Sequence, residues 1–571
     1  MAATATQNIF ANPVRRILQV IKLEKNEISS VYFYAILSGL IQLSLPLGIQ
    51  SIISFVLGGA ISTSLVVMIV LVVLGVFLNG LLQVNQMRLI EKVQQKIFVR
   101  YSFEFAERIP KLNLQSVDSY YLPELVNRFF DTVSLQKGIS KLLLDIPAAT
   151  IQIFFGLVLL SFYHPVFIFF GVVLLLIIYL ILRLTSARGM ESSLRESDYK
   201  YAVAGWLQEM ARVVKSLKFS SANSLHISKT DKFVTGYLTH RTTHFKVLLF
   251  QYWSLVGFKV AITAAMLIVG SLLLVSQQLN IGQFIAAEIV ILMVIGSIEK
   301  LMSNLDTVYD VLTSVEKLGK LTDKPMEQEG NILLTPSTNG LSVTLNAVNF
   351  RYDSDSKNVL HNINLAIQGN EKICIMGATG SGKSSLLRLM CGAYNQFDGI
   401  ILIDGLPLSN YNLDSLRKET GILLSLQDIF QGSLLENISM GSEAISLKEI
   451  LSLAETLGLK NFMNGLKEGL NTQLDPLGKK LSANIIKKIL LLRALLNKPK
   501  LVLLEEPFDV LSDIDKASIK DYLLNDTAGQ TIIISSNDEA FAAKCDKVIY
   551  LQDGKITAIG KWAVIQNEIN K

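Results

Sequence analysis

The stretch Ile373-Cys374-Ile375-Met376-Gly377-Ala378-Thr379-Gly380-Ser381-Gly382-Lys383-Ser384 decides how this chain is read. An apolar run leads into the Walker A pattern: Gly377, four free positions, then Gly382-Lys383-Ser384. Glycines let successive main-chain N–H groups turn onto phosphate oxygens, and the helix expected over Ser385–Met390 points its N-terminus at the same anion. The candidate cradle is therefore Gly377, Ala378, Thr379, Gly380, Ser381, Gly382, Lys383, Ser384 and Ser385. Lys383 would reach the outer phosphates and Ser384 would ligate Mg²⁺, so ATP and Mg²⁺ are the expected cofactors.

Composition divides the chain. Its 571 residues are 50% hydrophobic with a mean hydropathy of +0.41, which is too apolar for a soluble protein of this size. The excess lies before residue 305. Net charge is only +5 and no basic stripe is present, so nucleic acid is not an expected partner. Cys374, Cys391 and Cys545 are too scattered for a disulfide framework or a zinc site, which fits a reducing compartment. No cleavable signal is evident.

Three blocks are nearly free of charge. Val31–Met87 and Ile146–Leu182 hold no Asp, Glu, Lys or Arg, and Val247–Ile298 holds only Lys259 and Glu288. A span needs about 20 apolar residues, so each block fits a hairpin of two helices in the lipid bilayer. The expected tips are Gly58-Gly59 with Ser62-Thr63, His164-Pro165, and Gln277–Asn280 ahead of Gly282. None carries Lys or Arg. The intervening segments do, with Arg88, Lys92, Lys96, Arg100 and Arg108 in one and Arg183, Arg188, Arg195 and Lys200 in the other. That bias puts both termini and both long connections in the cytoplasm. The connections read as helical, and Asp118–Phe130 and Glu209–Phe219 are the segments expected to touch a soluble domain. Lys259 and Glu299 fall near the same inner edge, where they can pair or simply snorkel in a structural role. Glu288 lies only about 12 Å below the outer tip, with no obvious partner at that depth; one reading has it facing a polar pathway.

The domains expected are 1–314 in the membrane, a linker at 315–340 rich in charged and turn-forming residues, and a soluble α/β domain at 341–571. Within the last, the apolar run Leu501–Leu504 ends in Glu505-Glu506-Pro507. An acidic pair at a strand end suits phosphoryl transfer: Glu505 would hold the metal's shell, and Glu506 would orient or deprotonate the attacking water. Gln427 follows a strand-like run and can sense Mg²⁺ through its amide oxygen. Tyr352 ends a strand ahead of the cradle and can stack on adenine.

With these motifs the chain resembles the ATP-binding cassette (ABC) transporters over nearly its whole length. Six spans followed by one cassette look like an exporter half-transporter. The fold implied is an all-α six-helix membrane exporter domain fused to an α/β P-loop nucleotide-binding domain. Leu45-Pro46-Leu47 with Gln50, and Ile281-Gly282-Gln283, are similar to the type I secretion and peptide-exporter branch. That resemblance implies an ATPase-coupled translocase working as a homo- or heterodimer of half-transporters. It further implies a bacterial inner membrane location and a periplasmic adaptor. Only about thirty residues precede the first span, so no N-terminal peptidase domain is expected.

The resemblance breaks at four places. The signature loop, Leu-Ser-Gly-Gly-Gln in the family, reads Leu481-Ser482-Ala483-Asn484-Ile485. Ser482 keeps the hydroxyl that the family offers to a γ-phosphate held by the opposite subunit, but Ala483 and Asn484 put side chains where bare backbone is needed. The switch histidine is Asn537, which can hydrogen-bond a phosphate but cannot carry charge. None of the five histidines lies beyond His361. The Walker B aspartate is Glu505, and Ser512 replaces the D-loop aspartate. Binding is expected to survive while hydrolysis is slow, absent or dependent on a partner. The alternative expectation is a pseudo-ATPase that binds ATP as a switch and regulates a partner.

Overall fold

The computed structural model describes residues 11–58, 63–118, 120–220, 224–335, 338–352, 357–425, 427–442 and 444–569. It divides into two compact units. One holds Met1–Pro110 and Tyr120–Lys324; the other holds Lys111–Ser119 and Pro325–Lys571.

Among the described residues, six helical segments are long and apolar enough to cross a membrane: Lys25–Leu57, Thr63–Lys111, Leu122–Tyr163, Val166–Arg212, Leu225–Val275 and Ile281–Thr322. The turns follow local chemistry. His164 is extended, and Pro165 starts the next helix where its missing N–H costs nothing. Asn280 closes a capping box with Gln283: its side chain accepts from Gln283 N–H at 2.7 Å, and Gln283 Oε1 accepts in return at 3.0 Å. At the first tip, Gly58 caps the helix Ser44–Leu57 and Thr63 starts the next, while residues 59–62 lie outside the described residues. On the second segment Val66, Val67, Val70, Val73 and Phe77 face outward, as lipid contact requires. Lys259 and Glu299 pair at 3.1 Å, and Glu288 is part-buried on Ile281–Ser303.

The last helix of the first unit, Leu305–Thr322, continues through the first residues of the segment read as linker. Val315, Leu318 and Leu321 bury one face at helical spacing, while Glu316 pairs with Arg16 at 2.6 Å. Of the charged residues on this part of the helix, Lys320 is exposed and Glu316 half-buried, while Lys317 is buried and its ammonium pairs with Asp198 at 2.5 Å.

The second unit is built on two larger sheets. Its strands are β1 (Val343–Phe350), β2 (Leu360–Ile367), β3 (Lys372–Met376), β4 (Asp398–Ile403), β5 (Leu406–Pro407), β6 (Thr420–Leu423), β7 (Gly432–Ser433), β8 (Gln473–Leu474), β9 (Leu501–Glu505), β10 (Thr531–Ser535), β11 (Lys547–Gln552) and β12 (Lys555–Gly560). An antiparallel sheet runs β2-β1-β4-β5, and a six-stranded sheet runs β12-β11-β3-β10-β9-β6. All pairs in the latter are parallel except β11–β12. Strand β9 is buried along its whole length, and β3 along all but its first residue, as expected of strands covered on both faces. β10 separates β3 from β9, with Ser535 opposite both Ile375 and Glu505. The carboxyl ends of these three strands therefore share one edge, where ligands of parallel sheets bind.

Segment Lys111–Ser119 belongs to this second unit. Its short helix Leu114–Val117 is capped by Asn113, and Gln115 Nε2 donates to Arg351 O and Tyr352 O at 3.3 and 3.2 Å. Asp118 accepts from the Tyr394 hydroxyl at 2.7 Å. Asp118, the first residue of the expected segment Asp118–Phe130, thus belongs to this unit, whereas Tyr120–Phe130 and Glu209–Phe219 belong to the first.

Candidate functional site

Residues 377–382 turn between β3 and the helix Lys383–Met390. Gly382 caps that helix at φ +102°, and a Cβ there would sit 2.7 Å from Leu360 Cδ2. The loop needs glycine for both its conformation and its close packing. Lys383 is buried. Its ammonium donates to Gly377 O at 2.7 Å and Ala378 O at 3.1 Å, so the loop's own carbonyls hold the charge that phosphate oxygens would take. The Ser381 hydroxyl is buried without a partner among the described residues.

The acidic pair meets this loop. Glu505 ends β9 and accepts from Ser425 N–H at 2.9 Å and from the Ser384 hydroxyl. Burial opposes its charge, but the hydrogen bonds from Ser384 and Ser425 and the nearby Arg388 guanidinium hold its carboxyl below the usual range. Ser384 and Glu505 together offer hard oxygens of the kind magnesium takes, so they fit such an ion. When bound, magnesium would neutralise charge on the phosphates. Glu506 differs. Burial pushes its carboxyl up, Asp509 and Glu505 add to that, and Lys383 and Lys487 oppose it. One carboxylate is held ionised and its neighbour is made more basic, a division that suits one metal-holding and one water-activating group.

Other expected residues are placed less directly. The Gln427 amide oxygen accepts from Leu424 N–H at 3.4 Å, within its own turn. The Tyr352 hydroxyl lies 2.7 Å from Ser385 Oγ, and its ring meets Phe350 and Tyr394 edge-on at 5.0 and 5.5 Å. Asn537 accepts from Gly377 N–H at 3.1 Å, joining the switch position to the first glycine of the cradle.

Ser482 caps the helix Ala483–Leu495, accepting from Ile485 N–H at 3.4 Å. Two sequence departures converge near it. Asn484 Nδ2 donates to Asp515 Oδ2 at 3.3 Å, and Ser512 Oγ donates to the same oxygen at 2.6 Å. The buried Lys488 ammonium lies 2.6 Å from Asp515 Oδ1. Burial works against the Asp515 charge, but Lys488, Ser512 and Asn484 together depress its pKa. Asp515 and Lys488 match no motif of their own; the available signal in the sequence is a lysine and an aspartate flanking two altered motifs.

The arrangement is a phosphate cradle, an acidic pair and a capped helix on one unit, with six apolar helical segments on the other. Family models described as "ABC transporter" and "ABC transporter transmembrane region" match residues 360–509 and 30–298. The chain belongs to the ABC transporters.

This ABC transporter is 29% identical over 366 residues to the alpha-hemolysin translocation ATP-binding protein HlyB of Escherichia coli, covering 64% of this chain and 51% of HlyB. It is 30% identical over 292 residues to the leukotoxin translocation ATP-binding protein LktB of Mannheimia glucosida, covering 51% of this chain and 41% of LktB. The chain thus spans about half the length of these curated relatives. A bacterial Atm1-family ABC exporter with ATP bound shares the fold, with a TM-score of 0.85, 19% identity, and coverage of 95% of this chain and 96% of that one.

Proposed function

We propose that this multi-pass membrane protein is an exporter half-transporter that binds Mg²⁺-ATP at residues 377–385 and moves a peptide, protein or amphipathic substrate. One observation carries the reading: the cradle and the Glu505-Glu506 pair meet at one sheet edge, in a chain that also holds six membrane-length helices. The two named relatives translocate protein toxins, which supports a peptide or protein cargo. The charge bias of the connections supports cytoplasmic termini. Resemblance supports a bacterial inner membrane, a second half-transporter as partner and a periplasmic adaptor.

Hydrolysis in this reading is slow or dependent on a partner. Glu506 supplies the base, Tyr352 the adenine platform and Gln427 the link to the metal. Asn537 and the Ser482–Asn484 loop are weakened contacts to γ-phosphate. In a heterodimer, this Walker A would meet an intact signature from the partner. The second reading, a membrane pseudo-ATPase that gates its partner, is favoured by the neutral Asn537 alone.

The test is ATP turnover by the full chain in lipid nanodiscs, alone and with a second half-transporter encoded beside it. The transporter reading expects hydrolysis in at least one setting, falling by about 100-fold or more in Glu506→Gln. Nucleotide binding without turnover in either setting overturns it in favour of the switch.

A further inference from the structure

Glu506 has an unusual main chain. Its φ is +42°, a left-handed conformation that residues with a side chain rarely adopt. Such a conformation persists only where its surroundings hold it. Two groups outside its own loop do so. Glu506 N–H donates to Ser535 O at 2.9 Å, and Glu506 O accepts from the Lys487 ammonium at 3.0 Å. Within the loop, Asp509 N–H reaches the same carbonyl only at 3.4 Å.

Lys487 is part-buried on the helix Ala483–Leu495, which is capped by Ser482 of the signature loop. It and its neighbour diverge: Lys488 pairs with Asp515, while Lys487 reaches the Glu506 carbonyl. With three carboxylates nearby, on Glu505, Glu506 and Asp509, the ammonium forms its hydrogen bond with a main-chain oxygen. The Glu506 carboxylate forms no ion pair among the described residues and stays available to a water.

We propose that Lys487 is a positioning residue for Glu506: it pins the Glu506 carbonyl, maintains the left-handed turn and so sets where the carboxylate stands relative to the phosphate cradle. The proposal rests on the reading of Glu506 as the hydrolytic residue. A small displacement of such a group is costly, because water must be presented in line with the phosphorus.

Two variants test it in the full chain in nanodiscs. Lys487→Met keeps an apolar stem and removes the donor; Lys487→Arg keeps a donor. Under conditions where the wild type hydrolyses ATP, Lys487→Met is expected to lower kcat about 10- to 100-fold with KM unchanged, and Lys487→Arg to recover most of the loss. Nucleotide-free hydrogen exchange supplies a readout that needs no turnover: Lys487→Met should speed exchange at 506–510 and leave β1 and β3 protected. A wild type that hydrolyses nothing either alone or with a second half-transporter refutes the transporter reading, while exchange still judges the tie. Unchanged exchange at 506–510 overturns the proposal. So does a joint change in kcat and KM with exchange accelerated throughout the domain, or an arginine variant no better than methionine.

Discussion

The Asn537 side-chain oxygen accepts a hydrogen bond from the Gly377 main-chain nitrogen at 3.1 Å. The end of β10 is thereby tied to the start of the Walker A loop without any charge at the switch position. An amide can hold the loop in this way, but it cannot stabilise charge that grows on a γ-phosphate as an imidazolium can.

Restoring that charge should therefore help the chemical step more than binding. Asn537→His is expected to raise partner-assisted ATP turnover about tenfold, equivalent to about 1.4 kcal/mol of barrier, while Mg²⁺-ATP affinity moves less than about threefold. Steady-state kinetics beside equilibrium binding checks this; a gain in affinity with unchanged kcat contradicts it.

The cradle's glycines should differ sharply in tolerance. At Gly377, φ is +147° and a Cβ would fall 2.1 Å from Leu551 O; at Gly380, φ is +85° and nothing lies within 4 Å. Gly377→Ala must displace main chain and is expected to cost about 2–3 kcal/mol. Gly380→Ala should cost about 1 kcal/mol from backbone strain alone. Thermal unfolding of both variants in the same lipid environment would show the order, and equal losses would refute it.

The carboxylate shared by Asn484, Ser512 and Lys488 makes an acid-sensitive brace. The folded Asp515 pKa is depressed, so its contribution is present above the unfolded value of about 3.9 and is lost as pH falls through the folded value. Asp515→Asn should flatten that part of the stability profile below about pH 4 and leave Lys488 unpaired at neutral pH. Asp515→Ala is expected to cost about 3 kcal/mol at pH 7, chiefly from the stranded ammonium. Stability curves from pH 7 down through the acid limb check the sign; a loss that does not shrink as pH falls below about 3.9 would contradict it.

The nucleotide cradle is legible in the sequence because its chemistry is contiguous: glycines, Lys383 and Ser384 act through neighbouring main chain. The second and third membrane turns are legible for the same reason, since His164-Pro165 and Asn280 act within a few residues of themselves. The brace on Asp515 is not, because Asn484 and Asp515 are distant in sequence and meet only once the turn after β9 is folded. Likewise, Glu316 and Lys317 look like linker residues until Val315, Leu318 and Leu321 are seen packed on one helical face. The tie from Lys487 to a carbonyl leaves no residue-type signature at its acceptor, since every residue has a carbonyl.

Mg²⁺-ATP affinity of Lys383→Ala, measured against wild type in nanodiscs, tests the central claim most directly. If the ammonium now held by Gly377 and Ala378 carbonyls is the group that turns to the phosphates, affinity should fall at least about tenfold, or about 1.4 kcal/mol. Wild-type affinity in that variant would contradict the account.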